Sequence, residues 1–411
     1  MSDIRAPASA VWALGLTQIT GYGTLYYSFA ILAPAMAHDF ALSEQWIFGA
    51  LSLALFSGSL LAPTAGRLAD RFGAGRVMSW GSAAAALGLV AAGLAPNAAS
   101  FAAALIFMEL AACFVLYATA FVAIVQLGNA GASRSITHLT LIAGFASTVF
   151  WPLTTALHAE LSWREVYFVF AAMNLCLCLP VHLWLRRRPR PSAAALPGVA
   201  STAPAPDERP VGEGRRTSAF LWMMGGFAAA GFVLSAVLLH MVPLLTALGL
   251  GTAGVLVSTL FGPSQVASRL INMMFGGRLP QTILAVIATA LLAAGLALLL
   301  TGAPSMAAIA VFVVLFGLGS GLVSIVGGTL PLEVFGRTGY GARVGWMSAA
   351  RQFTSAFAPF LLAVMMAGLS VGLSLAVLLA IALVGVAAFA VIAWLQRLSA
   401  PIAASKDPSP A

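Results

Sequence analysis

Twelve runs of apolar residues, each close to the ~20 residues that carry an α-helix across a hydrocarbon core, leave this chain one kind of solvent. They fall at about 11–36, 46–66, 77–95, 99–125, 136–158 and 165–185, then at 218–243, 252–272, 280–301, 305–328, 342–368 and 371–396. Lipid offers no hydrogen bonds to a backbone, so each run has to close its own as a helix. Composition agrees: 61% of the 411 residues are hydrophobic and 8% are charged, too little polar surface to cover a water-soluble domain of this size. The expected fold class is all-α and integral to the membrane, with twelve transmembrane helices.

Residues 186–217, between the sixth and seventh runs, are rich in Pro, Ala, Gly and Arg. That composition cannot bury a core and reads as a flexible linker. It divides the chain into a six-helix bundle over 1–185, a second over 218–397 and a tail over 398–411. With the N-terminus inside, every Arg or Lys between the runs falls on the inner side except Arg164. The positive-inside rule therefore places both termini and the linker in the cytoplasm. The net charge of +8 sits in short loops rather than in a patch, which argues against nucleic acid as a partner. Cys113, Cys176 and Cys178 lie inside apolar runs, so no disulfide framework is expected. No cleavage site follows a short apolar core near the start, and the first helix is expected to be its own anchor.

Four charged residues cluster between Gly66 and Arg76, read as a connector between the second and third spans. Its glycines permit a tight turn, and Asp70 stands among Arg67, Arg71 and Arg76. The second half repeats the pattern more loosely. Ser268-Arg269-Leu270-Ile271-Asn272 with Gly277-Arg278 corresponds to Gly66 through Arg76, and Pro359 in the eleventh span corresponds to Pro152 in the fifth, at a nearly constant offset. Two six-helix pseudo-repeats are expected.

The pattern Gly66-x-Leu68-x-Asp70-Arg71-x-Gly73, closed by Arg76, resembles the signature loop of the major facilitator superfamily. That resemblance implies two bundles with a substrate path between them near mid-membrane. Asp70 would then be a conformational latch facing the start of the eleventh helix near Gly341 to Gly345, where a helix N-terminus favours an anion, with Arg134 or Arg343 as added partners. Shorter stretches are similar to the monocarboxylate-porter branch and its bacterial relatives: Gly21-Tyr22-Gly23-Thr24, Tyr26-Tyr27-Ser28-Phe29, Trp163-Arg164, and Gln265-Val266-Ala267-Ser268-Arg269. The bacterial neighbours imply a cytoplasmic (inner) membrane, and they include metalloid and drug exporters.

Charge inside a membrane is costly and usually kept for function or pairing. Glu109, Arg351 and Arg269 qualify. Glu109 lies ~15 Å from the outer end of its helix and Arg351 about as far from the inner end of its own, so both can reach a common cavity. Arg351 is read as an anchor for an anionic group, or else as a structural partner of Glu109. Glu109 is read as a carrier of a coupling proton, or as that permanent partner. Arg269 either lines the path beside Gln265 or snorkels at the inner rim. Tyr26, with Tyr22 and Tyr27, either lines the cavity or belongs to an interfacial belt. Cys176 and Cys178 point to different sides of their helix, which speaks against a three-thiol metal site. The sequence shows no nucleotide-binding motif, so coupling is expected from a gradient. The expectation is a monomeric secondary transporter of a small solute, an organic anion such as a monocarboxylate, without cofactor, metal or catalytic residues. The alternatives are an efflux permease for a metalloid or drug-like compound and a non-transporting sensor.

Overall fold

The computed structural model describes residues 6–128, 130–188, 208–248, 256–276 and 279–399. Arg5, Arg190, Arg278 and Lys406 of the charge tally lie outside them, as do Gly277 of the repeat and most of the expected linker. Among the described residues the chain is all-helical, and twelve rods can be traced. Helix 1 runs through Ala8–Tyr22, Gly23–Tyr27 and Phe29–Asp39, helix 2 through Glu44–Phe72 and helix 3 through Ala74–Gly93. Helix 4 is Ala98–Ala112 and Tyr117–Leu127; helix 5 is Ala132–Ala143 and Ala146–Glu160. Helix 6 combines Trp163–Met173, Asn174–Cys178 and Leu179–Arg186. Helices 7 to 12 are Arg216–Ala247, Phe261–Phe275, Gln281–Gly302, Met306–Phe335, Tyr340–Gly368 and Val371–Arg397. Nine helices among the described residues are long and apolar enough to cross a membrane.

The connector expected over Gly66 to Arg76 is a correction. Helix 2 continues to Phe72 and helix 3 begins at Ala74, so the turn is Gly73 alone, at φ 91°. Its neighbours on both sides are compatible with a helix, and only glycine takes that backbone conformation without strain. Gln126, near the end of helix 4, clamps the turn: Oε1 accepts from Ala74 N–H at 2.9 Å and Nε2 donates to Ala69 O at 2.8 Å.

Besides helix 5, which breaks at Gly144 and Phe145, three rods are interrupted at mid-length, each with a local cause. Helix 1 widens to a π-turn at Gly23–Tyr27, and helix 6 does so at Asn174–Cys178. Asn174 Nδ2 ties the two together by donating to Thr24 Oγ1 at 3.0 Å. Helix 4 breaks between Ala112 and Tyr117, and the freed carbonyls find donors. Gln18 Nε2 reaches Val115 O at 2.7 Å and Thr119 Oγ1 reaches Cys113 O at 2.9 Å.

The single arginine on the far side has a structural post. Arg164 pairs with Asp39 at 2.9 Å and donates to Gly93 O and Ala95 O. Trp163 Nε1 donates to the same Asp39 carboxylate, so one cluster joins helices 1, 3 and 6 at that end. Residues 208 to 217, expected within a flexible linker, lie docked on the second half. Arg209 N–H and Val211 N–H donate to Glu333 O and Val334 O at 2.8 and 3.0 Å, and Gly212 N–H donates to Ser399 Oγ.

Candidate functional site

The two halves meet where helix 2 packs on helix 11 and helix 5 on helix 8. At the signature-loop end of the first seam, Asp70 Oδ1 accepts from Gly341 N–H and Oδ2 from Ala342 N–H, both at 2.9 Å. These amides open helix 11 and have no partner within it. A carboxylate there satisfies two donors and the positive end of the dipole together. Neither Arg134 nor Arg343 is an ion-pair partner of Asp70 among the described residues. Arg343 instead donates to the carbonyls of Phe335 and Thr338. The close approach needs small residues: a Cβ on Gly66 would stand 1.9 Å from Gly341 O, and one on Gly345 would stand 2.5 Å from Ala62 O. Of the other loop residues, Arg67 donates to Thr64, Arg71 lies over the Phe72 ring, and Arg76 is half-buried.

Arg269 holds the second seam. It is 3% exposed, so it does not snorkel. Nη1 donates across the halves to Thr140 O at 2.9 Å, and Nη2 donates to Ser324 Oγ of helix 10 at 3.2 Å. Gly144 makes room, because a Cβ there would meet Nη1 at 2.2 Å. Nε has no partner. Gln265, one turn earlier on helix 8, is held by Ser320 Oγ at 2.9 Å. Helix 10 comes this near through Gly321, whose Cβ would collide with Ser268 Oγ and Gln265 O. Asn272, the repeat counterpart of Asp70, has its Oδ1 buried and without a partner among the described residues. The two seams are therefore latched by different chemistry.

A third bridge was not legible in the sequence. Arg337, between helices 10 and 11, donates to Val125 O at 2.9 Å and Gly128 O at 2.6 Å at the end of helix 4. Glu208 pairs with the same guanidinium at 2.9 Å. Among the described residues, the side-chain bonds and ring contacts between the halves run from this end only to Phe56, which meets Phe353 and Phe357 at 5.4 and 5.5 Å.

Arg351 lies half a turn before Phe353 on helix 11, and Glu109 lies on helix 4. The Arg351 guanidinium has neither a hydrogen bond nor an ion pair among the described residues, while its stem packs on Gly231 of helix 7. It is near enough to Tyr22, Tyr26 and Tyr117 of the first half for its charge to act on their hydroxyls. Glu109 is 6% exposed; its charge acts on Tyr26, Tyr167 and Cys113. No ion pair joins Glu109 to Arg351 among the described residues. Tyr26 feels both charges yet is 43% exposed. Its charged neighbours are Glu109 of its own half and Arg351 of the other. The site can therefore offer an unpaired cation, an acid without a cationic partner and a wall of phenols.

Two bundles sharing seams along helices 2, 5, 8 and 11, with charged side chains at mid-depth between them, define a two-halved polytopic protein of the transporter class. The sequence profile of the Major Facilitator Superfamily matches residues 14–359, and the chain belongs to that family of transporters, which are not enzymes. Similar solved structures include the human organic anion transporter MFSD10 (TETRAN), at 16% identity and TM-score 0.69, covering 94% of this chain and 98% of that one. The proton:xylose symporter XylE bound to 6-bromo-6-deoxy-D-glucose matches at 14% identity and TM-score 0.69, covering 95% and 99%. FucP in the outward conformation matches at 13% and 0.68, covering 94% and 98%. These likenesses establish the shared fold, and none of them singles out the monocarboxylate-porter branch. No curated protein matches the sequence.

Proposed function

We propose that this transporter carries a small organic anion by alternating access, with Arg351 as the anion's anchor and Glu109 as the carrier of a coupling proton. The observation that carries the reading is the unpaired Arg351 guanidinium, held at mid-depth in helix 11 opposite the tyrosines of helices 1 and 4. An uncompensated cation in a membrane is expensive, and a carboxylate ligand would relieve that cost with two parallel hydrogen bonds. The organic anion transport named for MFSD10 is consistent with this. Glu109, without a cationic partner among the described residues, is free to exchange a proton as the substrate enters or leaves. The seams latched at the signature-loop end suit a conformer open at the far end, and the positive-inside rule makes that end the outside. The full picture is a monomer in a bacterial-type inner membrane, with halves over 1–185 and 218–397, a linker over 186–217 and a tail over 398–411, both termini in the cytoplasm.

The test is uptake into proteoliposomes of labelled organic anions, metalloid oxyanions and drug-like cations, with and without a pH gradient. Anion uptake above that of empty liposomes, lost in Arg351→Ala, is the expected result. Movement of only metalloids or drugs would favour an efflux permease, and binding without any counterflow would favour a sensor.

A further inference from the structure

The chain has six tyrosines, and four of them form one patch. Tyr22 and Tyr117 have ring centroids 4.7 Å apart, Tyr22 and Tyr27 6.3 Å, and Tyr26 and Tyr27 5.4 Å. Tyr117 stacks on Phe121 at 5.2 Å, extending the wall along helix 4. The π-turn of helix 1 builds this patch. In an α-helix residues five apart diverge by more than a quarter turn, but the π-turn over Gly23–Tyr27 sets Tyr27 above Tyr22. The turn is braced from behind: a Cβ on Gly23 would stand 2.1 Å from the Phe150 ring, and Asn174 holds Thr24. Such turns are often found at functional sites.

The hydroxyls add chemistry to the rings. Tyr22 packs on Tyr117, the first residue of the second half of helix 4. The hydroxyls of Tyr26, Tyr27 and Tyr117 have no hydrogen-bond partner among the described residues. The Tyr27 and Tyr117 hydroxyls are not buried, so they open on accessible space where a ligand can meet them. Across from the wall, Arg351 acts electrostatically on three of these tyrosines, yet among the described residues its guanidinium stacks on none of them. Cation and wall thus belong to opposite halves, near enough for the charge of one to act on the hydroxyls of the other.

We infer that the transported anion is an aryl carboxylate, its carboxylate on Arg351 and its ring against the Tyr22, Tyr26, Tyr27 and Tyr117 wall. This rests on the organic-anion reading above and narrows it. A short aliphatic acid can satisfy Arg351 but leaves the wall without a partner. An aromatic ring adds edge or offset contacts beyond the area it buries, and polar ring substituents can meet the spare hydroxyls.

The test is a binding measurement on the full-length protein in nanodiscs, by calorimetry, with benzoate, cyclohexanecarboxylate and acetate. Ring contacts predict that benzoate binds roughly three- to tenfold tighter than cyclohexanecarboxylate, which has the same charge and nearly the same bulk. Tyr26→Leu and Tyr27→Leu should bring that ratio toward one. Tyr27→Phe keeps the ring and should retain it, which covers the case in which a leucine variant fails to fold. If cyclohexanecarboxylate binds as tightly as benzoate, and both need Arg351, the aryl inference fails while the anion reading stands. If none of the three acids binds, the anion reading falls and takes this inference with it.

Discussion

Gln126 and Glu333 hold the same post in the two halves. Gln126 Oε1 accepts from Ala74 N–H at the start of helix 3, and Glu333 Oε2 accepts from Gln281 N–H at 2.7 Å at the start of helix 9. The numbering offset between the two side chains equals that between the two amides, and equals that from Pro152 to Pro359. The repeat thus survives as a working hydrogen bond where the residue type has changed. The change has a consequence. Gln126 has a donor for Ala69 O, whereas Glu333 has none and receives one from Gln396 Nε2 at 3.0 Å.

Glu333→Gln should therefore destabilise the second half. The new amide keeps an acceptor for Gln281 but turns a donor toward Gln396, which is already fixed by Thr282 and Arg209 O. A loss of about 1–2 kcal/mol is expected, read as a lower thermal midpoint in detergent. Gln126→Glu should cost a similar amount through Ala69 O. Unchanged midpoints in both variants would sink the capping account.

Asp70→Ala should release the first seam. It removes two charge-assisted bonds of about 2 kcal/mol each and leaves the start of helix 11 uncapped. Gly66→Ala should act in the same direction, because its methyl cannot coexist with Gly341 O. Both should raise alkylation of a cysteine placed at Ala62 and cut transport by about tenfold or more. Gly327→Ala, with nothing within 4 Å of its Cβ, is the matched control and should be silent or slightly stabilising. Equal labelling of all three variants would show that this contact is not a latch.

Glu109→Gln should uncouple transport from the pH gradient while leaving exchange of substrate across the membrane intact. The buried acid has no cation to neutralise among the described residues, so its loss should not unfold helix 4. Gradient-driven uptake that persists in this variant would remove Glu109 from the proton path.

Arg337→Ala should weaken the closed loop end by leaving the Val125 and Gly128 carbonyls without their donor. Glu208→Gln, which keeps the side chain's size and removes its charge, should have a smaller effect of the same sign. A cysteine at Gly212, on the docked segment beside Ser399, should react with an impermeant maleimide in inside-out vesicles and not in intact cells. Labelling from outside would overturn the proposed orientation.

The parts of this fold that come from solvent and charge were readable from residues alone. Apolar runs give helices, and the family resemblance pointed Asp70 at the start of helix 11 near Gly341 to Gly345, where Gly341 and Ala342 donate to it. What escaped were side chains whose role depends on where a rod breaks. Gln18 and Asn174 are polar residues inside apolar runs and Gln126 stands at the end of one, which was the available signal, but their partners are carbonyls and turns freed by irregular backbone. The same limit applied to Arg269: its sequence position was compatible with a rim or a path, and only helices 5 and 10 arriving beside it made it a seam residue. Arg337 looked like one more inner-face charge, because nothing local encodes a carbonyl pair at the end of helix 4.

The one-residue turn at Gly73 leaves no slack between helices 2 and 3. With Gln126 gripping both of its flanks, the pair behaves as a stiff bracket. A paramagnetic or fluorescent label on the outward face of helix 3, well away from any ligand, should therefore report the swing of helix 2 with nearly full amplitude.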